Sequence, residues 1–201
     1  MNESKEHIIT VASKLFLQKN FKEVTMKEIV DKTGLSKGAF YHYFESKEKL
    51  FEEVIDSFLS SQMYFDFDKY LTSSLSEFYH ACAMNSNPLK GIILDDKDAA
   101  PDSNFAPNFY FLIFDAMNLI PGFKKKMEDF TEMELSKWSQ IIKKAKESGE
   151  IRSTMSDKQI ALLFISISDG LALNLIFGGK YENLNANLLS LWDSFYNSLK
   201  E

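Results

Sequence analysis

At 201 residues, 45% of them hydrophobic, the chain has the material to bury a core for one domain or two small ones, which excludes an intrinsically disordered protein. A net charge of -6 excludes a generic nucleic-acid coat, although residues 1–50 carry nine lysines against seven acids while residues 51–201 carry fourteen basic residues against twenty-two acids. Cys82 is the sole cysteine, so no intramolecular disulfide forms and a reducing compartment is expected; the N-terminal Met-Asn-Glu-Ser-Lys-Glu lacks the layout of a signal peptide, so a cytoplasmic protein is expected.

Residues 25–50, TMKEIVDKTGLSKGAFYHYFESKEKL, predict a short helix, a glycine turn and a second short helix. Thr25 and Glu28 have the spacing of a capping box, in which the hydroxyl accepts the N3 amide and the carboxylate reaches back to the cap amide. Gly34 stands where that helix must end, and Ser36 caps the next. In Lys37 to Phe44, Phe40 and Phe44 fall on one side, leaving Lys37, Tyr41 and Tyr43 for another. One face packs and the other reads DNA.

The pattern beyond is helical throughout. Ser46 caps a helix over 47–64 with Leu50, Val54, Phe58 and Ser61 on one stripe, and a second helix is expected over 68–84 with Leu71, Leu75, Phe78 and Cys82 inward. Residues 88–104 read as a loop with a short ordered piece around Gly91 to Leu94. Helices follow over 105–119, stopped by Pro121-Gly122, and over 123–148, closed by Gly149 with Lys143, Lys144 and Lys146 near its negative end. Asp157 is expected to cap a helix reaching Phe177, and the last helix covers 183–199. Within the helix from Asp157 to Phe177, Ile-Ser-Ile-Ser-Asp-Gly-Leu-Ala-Leu also carries a hairpin signal, but an isolated hairpin has no sheet to join, so a helix is expected. Ser166, Ser168, Asp169 and Asn174 interrupt 160–177, which argues for a buried helix and against a membrane span.

Over residues 5–55 the chain resembles the tetracycline-repressor (TetR) family of bacterial transcription regulators. The matching residues are Ile8, Ala12, Leu15 and Phe16 in a first helix, Phe21 in the turn, Val24-Thr25, Ile29, Gly34-Leu35-Ser36-Lys37-Gly38, Phe40 to Phe44 and Lys47 to Leu50. The resemblance implies an all-α protein of about nine helices: a three-helix helix-turn-helix DNA-binding domain at 1–50, joined by a connecting helix to a ligand-binding and dimerisation domain at 51–201. It also implies a glycine at the centre of a long helix near residue 170, where partner helices approach closely.

A third helix in the major groove can read base edges with short side chains. Lys37 can donate to guanine or phosphate, Gly38 lets the backbone come near, and Ala39 can meet a thymine methyl. By resemblance Tyr41 and Lys47 contact phosphate, Thr25 and Lys27 meet the flanking backbone, and Ser36, His42 and Tyr43 complete the candidate DNA-binding set. Arg152 is the sole arginine, so bidentate arginine reading is not available to the first 151 residues.

By the same resemblance a small-molecule effector occupies the body, with no cofactor implied. Candidate liners are Phe65, Phe78, Cys82, Phe109, Ile113, Met117, Phe130 and Trp138, each also readable as plain core. Asp115 and Glu134 lie on apolar faces, where a carboxylate needs a partner: a polar or cationic ligand group, or more simply a lysine. Leu162, Leu163, Ile165, Ile167, Leu171, Leu173 and Leu175 nearly encircle one helix, so a homodimer through the last two helices is expected, presenting two recognition helices about 34–36 Å apart to a palindromic operator. The competing reading is a non-enzymatic aromatic-pocket protein that uses the helix-turn-helix for protein contact. His7, His42 and His80 are scattered, no phosphate loop, nucleophile elbow or paired-carboxylate motif is visible, and neither a catalytic nor a metal site is expected.

Overall fold

The computed structural model describes residues 3–63, 65–85, 105–178 and 184–200, and the expected ordered piece at Gly91 to Leu94 lies outside them. Among the described residues the chain is all α, with no strand: α1 (Glu3–Glu23), α2 (Met26–Thr33), α3 (Lys37–Tyr43), α4 (Lys47–Met63), a 3-10 turn (Phe67–Tyr70), α5 (Leu75–Asn85), α6 (Phe105–Leu119), α7 (Phe123–Glu147), α8 (Asp157–Gly178) and α9 (Leu184–Ser198). The Asp-Gly segment with the hairpin signal is helical. The chain divides into two compact units, residues 1–61 with 88–124 and residues 62–87 with 125–201.

In the first unit, Ile8, Ala12, Leu15 and Phe16 of α1 are buried with Ile29, Phe40, Phe44 and Leu50. Phe51 is the hub: its ring lies 5.4 Å from Phe16 and 4.5 Å from Phe21. This packing unit is larger than the DNA-binding domain expected at 1–50, because Phe51, Val54, Ile55 and Phe58 of α4 are buried and α6 packs beside them through Phe109, whose ring meets Phe58 at 5.8 Å. Helix α1 breaks at Asn20 (φ 69, ψ 169), a conformation almost confined to glycine, and the Asn20 side chain accepts from the amides of Lys22 and Glu23 to restart the chain.

The second unit is built on stacked aromatics. Trp138 of α7 lies 4.9 Å from Phe78 edge-on, 4.9 Å from Phe164 nearly parallel, and 5.4 Å from Trp192, whose indole N–H donates to the Phe164 carbonyl. Two expected boundaries are corrected. The helix placed at 68–84 starts only at Leu75, because Ser74 and Glu77 form a capping box there, leaving Leu71 in a turn after the 3-10 segment. The cap of α8 is Ser156, paired with Gln159, and Asp157 is the first helical residue, held by Lys146 at 3.0 Å.

Glu150, just past the Gly149 stop of α7 (φ 77), carries long-range weight. Its carboxylate accepts from the amides of Leu75 and Ser76 at 3.0 and 3.2 Å, capping α5 from another part of the chain, and from the Tyr196 hydroxyl at 2.8 Å. Burial, then the bond to Glu150, hold the Tyr196 phenol well above its ordinary range. Glu150→Ala is expected to destabilise the protein by about 2–3 kcal/mol, since charge-assisted bonds to two otherwise orphaned amides are lost. A urea midpoint unchanged from wild type contradicts this.

Candidate nucleic-acid interface

Helix α3 is short, and its neighbours fix it at both ends. The Ser36 hydroxyl accepts the Ala39 amide at 3.2 Å, Gly34 ends α2 in the left-handed region (φ 69), and Phe40 and Phe44 bury the inner side. Lys37, Gly38, Ala39, Tyr41 and His42 are exposed and Tyr43 half-buried, so these candidates share one outer face. Lys37 Nζ stands 5.9 Å over the Tyr41 ring.

Gly38 is informative by what surrounds it. A Cβ built there meets nothing within 4 Å, so neither packing nor backbone conformation requires glycine in this helix. Glycine inside a helix costs roughly 0.5–1 kcal/mol relative to alanine, and no contact among the described residues offsets that cost.

Thr25 caps α2 as expected, its hydroxyl accepting the Glu28 amide at 3.2 Å. The other half of the expected capping box is corrected: the Glu28 carboxylate binds Lys19 Nζ at 2.5 Å, because the break at Asn20 leaves Lys19 facing α2. Thr25 and Lys27, with Glu28, Asp31 and Lys32, line an open surface depression on α2. Lys47 is placed otherwise than the resemblance implies. Its ammonium turns inward, donating to the carbonyls of Phe21 and Val24, both at 2.9 Å, and lies 4.2 Å from the Phe21 ring.

The candidate ligand residues are divided between the two units. Phe109, Ile113, Asp115 and Met117 belong to the first unit; Phe65, Phe78, Cys82, Phe130, Glu134 and Trp138 belong to the second. Phe78 and Trp138 are fully buried core, and burial pushes the Cys82 thiol far up, so it stays protonated. Phe65, Ile113, Asp115, Met117, Phe130 and Glu134 are half-buried. Among the described residues Glu134 stands near Trp138, Asp169 and Cys82 and shows no ion pair with a lysine: burial, then the charge of Asp169, raise its carboxyl to about 7 against a hydrogen bond from Trp138. Sequence reasoning missed the inward lysine, the Glu150 clasp and Asn108 of α6; a lone asparagine within Phe-Ala-Pro-Asn-Phe-Tyr-Phe was the available signal for the last.

Residues 8–54 match the bacterial regulatory proteins of the tetR family. Over those residues the chain carries the DNA-binding head of that family. Similar relatives of this family include the HTH-type transcriptional regulator YfiR of Bacillus subtilis, 25% identical over 85% of this chain and 78% of that protein. Another is the HTH-type transcriptional repressor KstR2 of Mycolicibacterium smegmatis, 34% identical over 27% of each chain. In fold, the ketosteroid transcriptional regulator KstR2 of Mycobacterium tuberculosis matches with a TM-score of 0.70 at 16% identity, over 100% of this chain and 97% of that one. The chain is thus a helix-turn-helix transcriptional regulator, of a kind with no catalytic activity. Among the described residues no helix is long and apolar enough to cross a membrane, and no group of acids, histidines and cysteines has the placement of a metal site.

Two predictions follow from these side chains. Lys47→Met is expected to cost about 1–3 kcal/mol of stability by stranding two carbonyls, while the salt slope of DNA binding stays as in wild type; a phosphate ligand would instead lower that slope by about one. Thermal unfolding and titrations at several salt concentrations separate the two. Glu134, whose carboxyl is raised from 4.5 to about 7, binds its proton more tightly folded than unfolded. The contribution of Glu134 to stability is therefore full below about 4.5, falls as pH rises toward 7 by about 1–3 kcal/mol, and is flat above. Unfolding of wild type and Glu134→Gln across that window should show a steeper fall with rising pH in the former, and equal slopes contradict this.

Proposed function

We propose that the protein is a cytoplasmic repressor that binds a palindromic operator as a homodimer and leaves it when a small-molecule effector binds. The observation that carries DNA reading is the outer face of α3: an exposed Lys37-Gly38-Ala39 run, continued by Tyr41 and His42, on a helix whose inner side is fully packed. Gly38 has no use inside the chain, and close approach of DNA gives it one. Tyr41, Tyr43, Thr25, Lys27 and Ser36 border the groove. Lys47 contributes by holding the α1–α2 turn. Repression, the activity of the relative KstR2, is carried over as part of this proposal.

The dimer is supported by α8 and α9. Ile160, Ala161 and Phe164 of α8 are buried within the chain, yet Leu162, Leu163 and Leu173 are exposed on its other sides, with Leu191 exposed on α9. A helix apolar on every side needs cover on every side. Gly170 also has open space above it, as a close helix crossing requires. Residues 1–50 then form the DNA-binding domain and 51–201 the ligand-binding and dimerisation domain. The half-buried Phe65, Ile113, Asp115, Met117, Phe130 and Glu134 are the residues of the candidate set free to meet an effector, while Phe78 and Trp138 support the core.

Selection of bound sequences from random duplex DNA tests this reading. A palindrome with half-sites about one helical turn apart is expected; an asymmetric site removes the dimer, and no enrichment removes the function. Gly38→Ala then separates folding from reading. It should raise thermal stability by roughly 0.5–1 kcal/mol while weakening operator binding by roughly 1–3 kcal/mol, the scale of one base contact. Unchanged operator affinity contradicts it.

A further inference from the structure

Helix α6 follows the expected DNA-binding domain by some fifty residues, yet its first turns lie in the compact unit of the head. Two consecutive residues make the connection. The Asn108 side-chain amide donates to the Leu17 carbonyl at 2.6 Å, and the Phe109 ring meets Phe58 of α4 edge-on at 5.8 Å.

The acceptor is not an arbitrary one. Leu17 lies in the last turn of α1 before the break at Asn20, where carbonyls lose their intrahelical donors. Leu17 is itself fully buried, so water cannot readily replace the missing donor, and a buried carbonyl without a partner is costly. Three side chains from three helices converge on this break: Asn20 restarts the chain, Lys47 takes the carbonyls of Phe21 and Val24, and Asn108 takes that of Leu17. Only Asn108 comes from outside the expected DNA-binding domain. Phe109 is buried beside it at the flank of α4, the helix whose first residue is Lys47.

We infer that Asn108 is a positioning residue for DNA reading: through its bond to Leu17, backed by Phe109 on Phe58, α6 fixes the end of α1 relative to α4 and so the setting of α2 and α3. This rests on the DNA-binding reading above. A shift of α6 along its own axis breaks or keeps the amide bond as a unit, because the acceptor is a single carbonyl and the donor a short, two-torsion side chain.

The test compares Asn108→Asp, which keeps the size but loses the donor, with Asn108→Leu, which loses both polarity and donor, and Asn108→Gln, which keeps a donor. Operator affinity is measured on the full chain well below the unfolding temperature, where every variant is folded. The Asp and Leu variants should bind the selected operator about tenfold more weakly, within the range of typical coupling between sites. Their salt slope should stay that of wild type, and Gln should recover part of the loss. A merely structural role lowers the unfolding temperature and leaves operator affinity within twofold, and that result overturns the inference. Hydrogen exchange at the amides of Phe21 to Val24 gives a readout without DNA: faster exchange in Asp and Leu supports the positioning role, and unchanged exchange overturns it. If wild type captures no duplex, the DNA reading fails, and the exchange arm alone decides whether Asn108 holds the break.

Discussion

The head depends on how the chain leaves its first helix. At Asn20 the backbone takes a positive φ that few residues other than glycine tolerate, and the helix stops with its terminal carbonyls exposed to the interior. Those carbonyls and the ones in the following turn are not left to water. Lys47 covers two, Asn108 covers a third, and the lysine ammonium stands over the Phe21 ring that fills the core beneath. Together with the Lys19–Glu28 pair and the contact of His7 with the Thr33 carbonyl, these bonds give direction to the angle at which α2 leaves α1, which apolar contact alone does not. The recognition helix inherits its setting from that angle.

The chain can afford a short recognition helix because its inner side is so fully used. Seven residues are too few to be helical alone. The Ser36 cap, the Gly34 turn and the burial of Phe40 and Phe44 make α3 stable, so its outer residues are released from any structural duty. That release is visible at Gly38 and in the exposure of Lys37, Ala39, Tyr41 and His42. In the second unit the same division holds in a different material. Trp138, Phe164 and Trp192 form a rigid stack. Around it stand half-buried groups such as Glu134, whose raised carboxyl reflects its distance from water more than any ion pair.

Much of this was legible in the residues. The capped helices of the head, the Phe40 and Phe44 side, the bounds of α6 and the Gly149 stop follow from local rules, since caps, glycine turns and 3.6-residue periodicity act over a few residues. The start of α5 was misread because Leu71 fits the same stripe as Leu75, and apolar period alone outweighed the Ser74–Glu77 capping box. The half of the Thr25 box assigned to Glu28 failed because a lysine nine residues earlier competes for the carboxylate.

The sequence by itself determined the fold class, the short third helix with its two faces, and the family resemblance of the head, because each is written in side-chain type and short spacing. Tertiary structure decided the destination of three polar side chains: Lys47 onto carbonyls 26 and 23 residues away, Asn108 onto one 91 residues away, Glu150 onto amides 75 and 74 residues away. A lysine, an asparagine and a glutamate have the same composition and local pattern whether they face DNA, water or a broken helix. The choice is made by which buried backbone group lacks a partner, and that is known only once the chain has folded around it.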